Sequence, residues 1–286
     1  MGGPFAEEIV VTRAAPGRFG AVLGPGWNLR PLPQGGIVTA LALRAMEAEL
    51  DDSGETLRTL STVFVGQVTD GPLEIDVEVL RRGRSMSHLR AEVRNPGSAR
   101  GHVTTAVFGQ RREGFEFTDL APPVVPLPGD CPSFRDPPPP GWHVFDPMPF
   151  WERVEGRPAL GLPPWDDTPR TSSLQATWYR FDETPWLDDG TVDPHAVIVL
   201  ADTMPGAVGQ RLGSNDRPWF GPSIDLTVHL FGPARDEWLL GVNRARHAGD
   251  GYASVEMELW SAAQLVAYGT QTMFFAFMDR KRAEAS

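Results

Sequence analysis

The sequence predicts an α+β protein built from two tandem units, each an antiparallel sheet wrapped around one long buried helix. Three observations carry this. Two segments are apolar on nearly every side: Ile37–Leu50 (IVTALALRAMEAEL), and the run Ala196-Val-Ile-Val-Leu-Ala201 that follows Asp193-Pro194-His195. A helix without a polar face has to be covered. Each segment is followed by runs rich in β-branched and aromatic residues, punctuated by turn formers, which read as strands. The order strand, buried helix, four strands occurs twice, as an internal duplication would produce, and two such units side by side resemble a fused twofold dimer.

Along the chain, Val10-Val11-Thr12 and Phe19–Leu23 are predicted as short strands around Pro16-Gly17. Pro31-Leu-Pro-Gln-Gly-Gly36 leads into the first helix. Gly35 and Gly36 would let a ligand or another backbone approach the helix N-terminus, where free N–H groups favour an anionic oxygen; a plain tight turn fits equally well. After Asp51-Asp52-Ser53-Gly54 come predicted strands over 57–68, 73–80, 86–93 and 102–108. Asp70-Gly71-Pro72, Arg82-Gly83 and Asn95-Pro96-Gly97 separate them. Arg81, Arg82 and Arg84 crowd one hairpin, either as a solvated basic turn or as phosphate ligands. Residues 118–170 are proline-dense, with Pro137–Pro140 the extreme, and read as a semi-extended connector in which Phe150-Trp151 is apolar enough to pack.

Strands resume over 173–181. Asp193 and Pro194, a cap and a first-turn proline, then open the second helix. Further strands follow over 223–231, 237–244, 252–260 and 265–277. The expected division is a first unit at 1–117, a connector at 118–147 and a second unit at 148–286. Matching Thr62 with Thr227 lays Leu60–Gly66 on the strand from Ile224 to Phe231 and carries Leu73–Val77 onto Trp238–Val242 without a gap.

Composition narrows the function. The chain has 286 residues, of which 41% are hydrophobic and 22% charged, the balance of a soluble globular protein. No apolar run approaches the ~20 residues of a bilayer span, and Met1-Gly2-Gly3-Pro4 starts no signal peptide, so a cytoplasmic location is expected. A net charge of −11 argues against nucleic acid as partner. The single lysine, Lys281, leaves no lysine for a P-loop or Schiff base in the body of the chain. Cys131 has no partner for a disulfide and no basic neighbour in sequence to activate it. The six histidines fall at no metal-ligand spacing, and neither G-x-S-x-G nor G-x-G-x-x-G occurs, so no metal, hydrolase elbow or dinucleotide fold is expected. What stands out is Asp202, a carboxylate directly after the buried apolar run. It either caps the turn at Thr203-Met204-Pro205-Gly206 or is chemically employed, because a buried unpaired carboxylate is costly.

Several short pieces, in their order and spacing, resemble the TesB-like (type II) acyl-CoA thioesterase family over nearly the whole chain, most weakly across the connector. They are Gly35-Gly36 opening the first helix, Leu80-Arg-Arg-Gly-Arg-Ser-Met-Ser87, Leu200-Ala-Asp202, Ser223-Ile-Asp-Leu-Thr227, Trp238-Leu-Leu240 and Leu265-Val-Ala-Tyr-Gly-Thr-Gln271. The resemblance implies a double hotdog fold. It also implies a site made of an Asp at the buried helix, a hydroxyl residue on the next strand and a Gln on the last, carried here by Asp202, Ser223 and Gln271. The family's hydroxyl residue is usually threonine. Thr227, two pleat repeats beyond Ser223 and expected on the same face as it and Asp225, is therefore held in reserve. Gly35 and Gly36 are the expected substrate-binding positions.

On this reading Asp202 takes a proton from water that Ser223 and Gln271 hold, and helix-terminal N–H groups receive the oxyanion. No cofactor is implied beyond CoA as part of the substrate. The implied partner is an acyl-CoA or acyl-carrier-protein substrate, with a homo-oligomer expected by resemblance. In the first unit, matching Pro33 with Pro194 sets Leu41 opposite Asp202, and the strand overlay sets Arg58 opposite Ser223, so one active site per chain is expected. Two alternatives compete. Hydration of enoyl thioesters would use an Asp/His pair, although Asp193-Pro194-His195 reads better as a helix start. A non-catalytic acyl-binding module would be favoured if Asp202 were only a cap.

Overall fold

Both apolar segments are helices, and they pack against each other inside one continuous sheet. The structure, a computed structural model, describes residues 4–29, 31–51, 54–140, 148–213, 217 and 219–277. Met1 to Gly3, Asp52, Ser53, His143 and Lys281 lie outside the described residues. The first half runs α1 (Pro4–Glu8), β1 (Thr12–Ala15), β2 (Arg18–Leu23), α2 (Gly35–Leu50), β3 (Thr56–Phe64), β4 (Gly71–Arg82), β5 (Met86–Arg94) and β6 (His102–Gly109). Next come α3 (Pro149–Arg153), β7 (Val154–Leu160), β8 (Gln175–Phe181), α4 (Pro194–Ala201) and α5 (Gly206–Leu212). The chain ends with β9 (Trp219–Phe220), β10 (Asp225–Leu230), β11 (Leu239–Gly249), β12 (Tyr252–Ser261), β13 (Gln264–Phe274) and β14 (Ala276–Phe277).

The main sheet has 12 strands in the order β1-β2-β4-β5-β6-β3-β10-β13-β12-β11-β8-β7. Its two halves mirror each other about the β3–β10 seam, where Thr227 faces Ser61 and Leu226 faces Thr62. Gln34 and Asp193 cap α2 and α4 through their side chains; α4 is buried from His195 to Ala201, and α2 from Gly36 to Leu43 with its last turns reaching the surface. The inward faces of the strands close over them, with Leu60, Leu73, Ile75, Ala91, Val228, Met257 and Met273 in one core. This is the α+β arrangement expected, two sheet-and-helix units fused edge to edge.

Three details differ from the sequence reading. First, 154–160 inside the proline-rich stretch is a strand. It lies at the sheet edge, pairing only with β8, where Pro158 leaves no central ladder bond unmade. The stretch is also packed. Phe150 is fully buried with its ring 6.3 Å from Trp27, and the Trp178 indole N–H donates to the Pro126 carbonyl at 2.9 Å.

Second, the internal overlay is one residue out of register. Thr62 points inward and is buried, whereas Thr227 is on the outward face with its hydroxyl 2.8 Å from that of Ser61. Likewise Leu73, Ile75 and Val77 belong to the main core, while Leu240 and Val242 sit in a small second core with Ala176 and Trp260 on the other face of the sheet. A one-residue slip exchanges the faces, so the pairing of Arg58 with Ser223 falls with it.

Third, Ser223 and Thr227 do not share a face. Thr227 pairs with Thr270, but Ser223 bridges to Met273, one residue off that register, and Met273 points inward. The intervening irregularity, where the Asp225 carboxylate accepts the Thr272 N–H at 2.6 Å, turns Ser223 toward the helix side.

Candidate active site

The start of α2 and the end of α4 meet at one point. Gln34, the N-cap of α2, accepts the Ile37 N–H at 3.0 Å and donates its Nε2 to the Val199 carbonyl at 2.7 Å, binding the first turn of one helix to the last turn of the other. Asp202 is the C-cap of α4, with its N–H directed at the Leu200 and Val199 carbonyls. The capping role therefore belongs to its backbone. Its side chain crosses to α2, where Oδ2 accepts the Gly36 N–H at 2.8 Å and Oδ1 accepts a hydrogen bond from Gln271 Nε2.

Gly36 permits this approach. A β-carbon there would stand 2.9 Å from Val199 Cα and 3.0 Å from Asp202 Cβ. One at Gly35 would meet the Phe64 ring at 2.7 Å and Asp202 Oδ2 at 3.1 Å, so the ring and the carboxylate flank the same spot. The Phe64 ring in turn lies edge-on to His102, 4.7 Å between centroids. Burial drives the His102 pKa down to about 4, so this imidazole is neutral at physiological pH.

Gln271 sits on the inward face of β13, 2% exposed, and its Oε1 has no hydrogen-bond partner among the described residues. Asp202 is 8% exposed. Burial pushes its carboxyl up to about 7, against the pull of the hydrogen bonds from Gly36, Gln271 and Gly35. A carboxylate poised near neutrality beside a glutamine with an unused acceptor is suited to taking a proton. Ser223, half-buried, lies opposite Met273, which is two residues and about 7 Å along β13 from Gln271 on the same face. Asp202 and Gln271 are thus in direct contact, with Ser223 on the segment that leads into β10. Thr227 is on the other face, bonded to Ser61. Gly36 serves the carboxylate itself rather than an open anion position.

Two residues at this point were missed in the sequence. Gln34 carried a signal, a polar residue directly before a glycine pair and an apolar helix. Phe64 carried none, because it reads as one more strand residue.

At the opposite end of the helix pair the second helical residue is His195 instead of glycine. Its Nδ1 is 2.6 Å from Asp193 Oδ1 and its Nε2 is 3.3 Å from Glu47, and Arg44 pairs with both acids. Burial, the largest influence, lowers the His195 pKa, but Glu47 and Asp193 together overcome it and hold the imidazole above its ordinary value. The space that Asp202 enters at Gly36 is filled here by an imidazole. Asp193-Pro194-His195 is both a helix start and a buried Asp/His pair. Among the described residues no group of three or more His, Cys, Asp or Glu is placed to hold a metal, and no helix is long and apolar enough to cross a membrane.

Antiparallel sheet halves wrapped around two buried helices, with an acid held between the helix ends, define a double hotdog protein. Residues 23–109 match the acyl-CoA thioesterase N-terminal domain, and residues 128–275 match the acyl-CoA thioesterase C-terminal domain. The chain belongs to the acyl-CoA thioesterase family and is a thioester hydrolase.

Solved structures agree in fold. A hot dog fold protein of unknown function from Alicyclobacillus acidocaldarius is 24% identical with a TM-score of 0.81, covering 96% of this chain and 99% of its own. The acyl-CoA thioesterase II TesB2 of Mycobacterium marinum is 20% identical with a TM-score of 0.75, covering 96% of this chain and 99% of its own. A TesB protein of Mycobacterium avium subspecies paratuberculosis is 17% identical with a TM-score of 0.76, covering 95% of this chain and 98% of its own. No curated protein matches the chain in sequence.

Proposed function

We propose that this chain hydrolyses an acyl-CoA to the free acid and CoA by direct attack of water, with Asp202 as general base. The observation that carries the reading is Asp202 itself, a buried carboxylate near neutral pKa, held by Gly36 and Gln271. Water donates one hydrogen to the carboxylate and the other to the unused Oε1 of Gln271. Its lone pair is thereby left to meet the thioester carbonyl. As the carbon–oxygen bond forms, the proton passes to Asp202 and then to the departing thiolate sulfur as the carbon–sulfur bond breaks. Ser223 supplies a hydroxyl donor for the developing oxyanion, since the Gly36 N–H is engaged by the base. The filled pocket at His195 supports one such site per chain.

Single turnover in ¹⁸O-water tests the route. Label in the released acid on the first turnover is the expected result. Label in the protein at Asp202 would mean that the carboxylate attacks as a nucleophile and would sink the general-base assignment. Absence of thiol release from every acyl-CoA offered, with the protein folded, would sink the acyl-CoA reading.

A further inference from the structure

The N-cap of α2 is an uncommon residue for its place. Ser, Thr, Asp and Asn are the favoured caps, because a short side chain reaches the N–H groups of the first turn. Gln34 is longer, 1% exposed, and has both ends of its amide engaged. Its Oε1 accepts the Ile37 N–H at 3.0 Å, and its Nε2 donates to the Val199 carbonyl on α4 at 2.7 Å. Its backbone N–H is fixed in turn to the Trp27 carbonyl at 2.9 Å. A helix start leaves its first N–H groups without intrahelical partners. Here Gln34 takes that of Ile37, while the Asp202 carboxylate takes that of Gly36 and is bonded by that of Gly35 as well. The Val199 carbonyl that receives Gln34 also receives the Asp202 N–H, at 3.3 Å. A single amide side chain therefore joins the donors that hold the carboxylate to the carbonyl that holds its backbone.

We infer that Gln34 is a positioning residue, which spans the two helix ends and thereby keeps the Asp202 carboxylate on the Gly35 and Gly36 N–H groups. Its consequence for the rate rests on the reading of Asp202 as the base. Both polar atoms of Gln34 are spoken for, so it acts through Asp202 rather than on the substrate. Among the described residues, the influences on the Asp202 carboxyl are burial and the bonds from Gly36, Gln271 and Gly35, with no charged side chain among them. His102, edge-on to the far side of Phe64, is neutral. A loosened bridge is therefore read in the bonds from the two glycines. Each favours the ionised carboxylate, and losing one raises its pKa.

Two variants separate the bridge from the cap. Gln34→Asn keeps a favoured, uncharged cap for Ile37 but is shorter by one methylene and gives up the Val199 bond. Gln34→Ala gives up both. The Asp202 carboxyl is titrated by ¹³C NMR, and kcat and KM for an acyl-CoA are followed across pH. In Gln34→Asn the carboxyl midpoint should rise by up to about one pH unit, the scale of one backbone N–H, and the acid limb of kcat should move with it. The kcat plateau should fall about tenfold with KM unchanged, since the displacement is smaller than the ~1 Å that costs about a hundredfold. Gln34→Ala should show the same midpoint with a lower Tm, because its first turn is uncapped. A Gln34→Asn protein with the midpoint and kcat of wild type overturns the proposal, whatever its Tm. A change confined to KM overturns it too, by placing Gln34 against the substrate. If the midpoint moves in Gln34→Asn while Asp202→Asn releases thiol as fast as wild type, Gln34 still positions the carboxylate and the catalytic reading falls.

Discussion

The tightest geometric requirement of the site is the absence of a side chain at Gly36. In Gly36→Ala the new methyl would lie 2.9 Å from Val199 Cα and 3.0 Å from Asp202 Cβ, with Gln34 Oε1 also at 2.9 Å. Two of these atoms belong to the last turn and cap of α4 and cannot swing aside, so α2 and α4 have to separate by a few tenths of an ångström. Overpacking of this kind costs about 1–3 kcal/mol. The better helix propensity of alanine returns up to about 1 kcal/mol. The net loss is about 1–2 kcal/mol, or a fall in Tm of about 2–8 °C for a chain of this size. The same displacement lengthens the Gly36 hydrogen bond to Asp202 and moves the carboxylate relative to Gln271. A misplacement of 1 Å costs about a hundredfold, so a loss in kcat/KM of about tenfold is expected. Gly35→Ala is the internal contrast. Its methyl meets the far end of the Phe64 ring at 2.7 Å, and that half-buried side chain can swing aside as a whole, so the stability change should stay below about 1 kcal/mol. Calorimetry and thiol-release kinetics on both variants decide the matter. A Gly36→Ala protein that melts at or above wild type with full kcat/KM would refute the claim that the site depends on this close approach.

Further outcomes follow from the buried carboxylate. Because the reactive form of Asp202 is ionised and its pKa is about 7, kcat/KM should rise roughly tenfold per pH unit below that value and level off above it. A flat profile from pH 5 to 8 would contradict this. Gln271→Leu removes a hydrogen bond that pulls the Asp202 pKa down, so the acid limb of the profile should move to higher pH while the plateau falls. An unmoved limb would count against the contact. Stability should respond in the opposite sense to activity. The folded pKa is raised from 3.8 to about 7, so the native state binds the proton more tightly and stability is lost as pH climbs between those values. Asp202→Asn should therefore match wild type near pH 4 and exceed it by up to about 4 kcal/mol above pH 8 in urea unfolding, the scale set by a rise from 3.8 to about 7. Equal stability at both ends of the range would mean that the carboxylate is not desolvated.

Much of this fold is written in local patterns. Two helices without a polar face and β-rich runs between turn residues were enough to anticipate sheets closed around buried helices, because burial on all sides leaves few other arrangements. Face assignment was less legible. Thr62 and Thr227 align well by type, yet one points inward and the other outward. In a strand, residue identity survives a one-residue slip that reverses every side chain. The irregularity before Asp225 was invisible for the same reason, and it decides that Ser223 rather than Thr227 turns toward the helices. Asp202 was conspicuous as a carboxylate after six apolar residues, and Gln271 entered through resemblance to the thioesterases. Phe64 had no local signature at all. Its importance comes from what lies across the sheet and across the chain from it, which no window of sequence contains.

The most direct measurement is the rate of thiol release from an acyl-CoA by wild type beside Asp202→Asn, under single-turnover conditions at pH 8. The amide keeps the size of the side chain and can still bond to Gln271, but it cannot accept the proton of the attacking water. A loss of at least about 100-fold with unchanged folding is the expected result for removal of a general base. Equal rates in the two proteins would show that the base lies elsewhere, and the account built on Asp202 would be wrong.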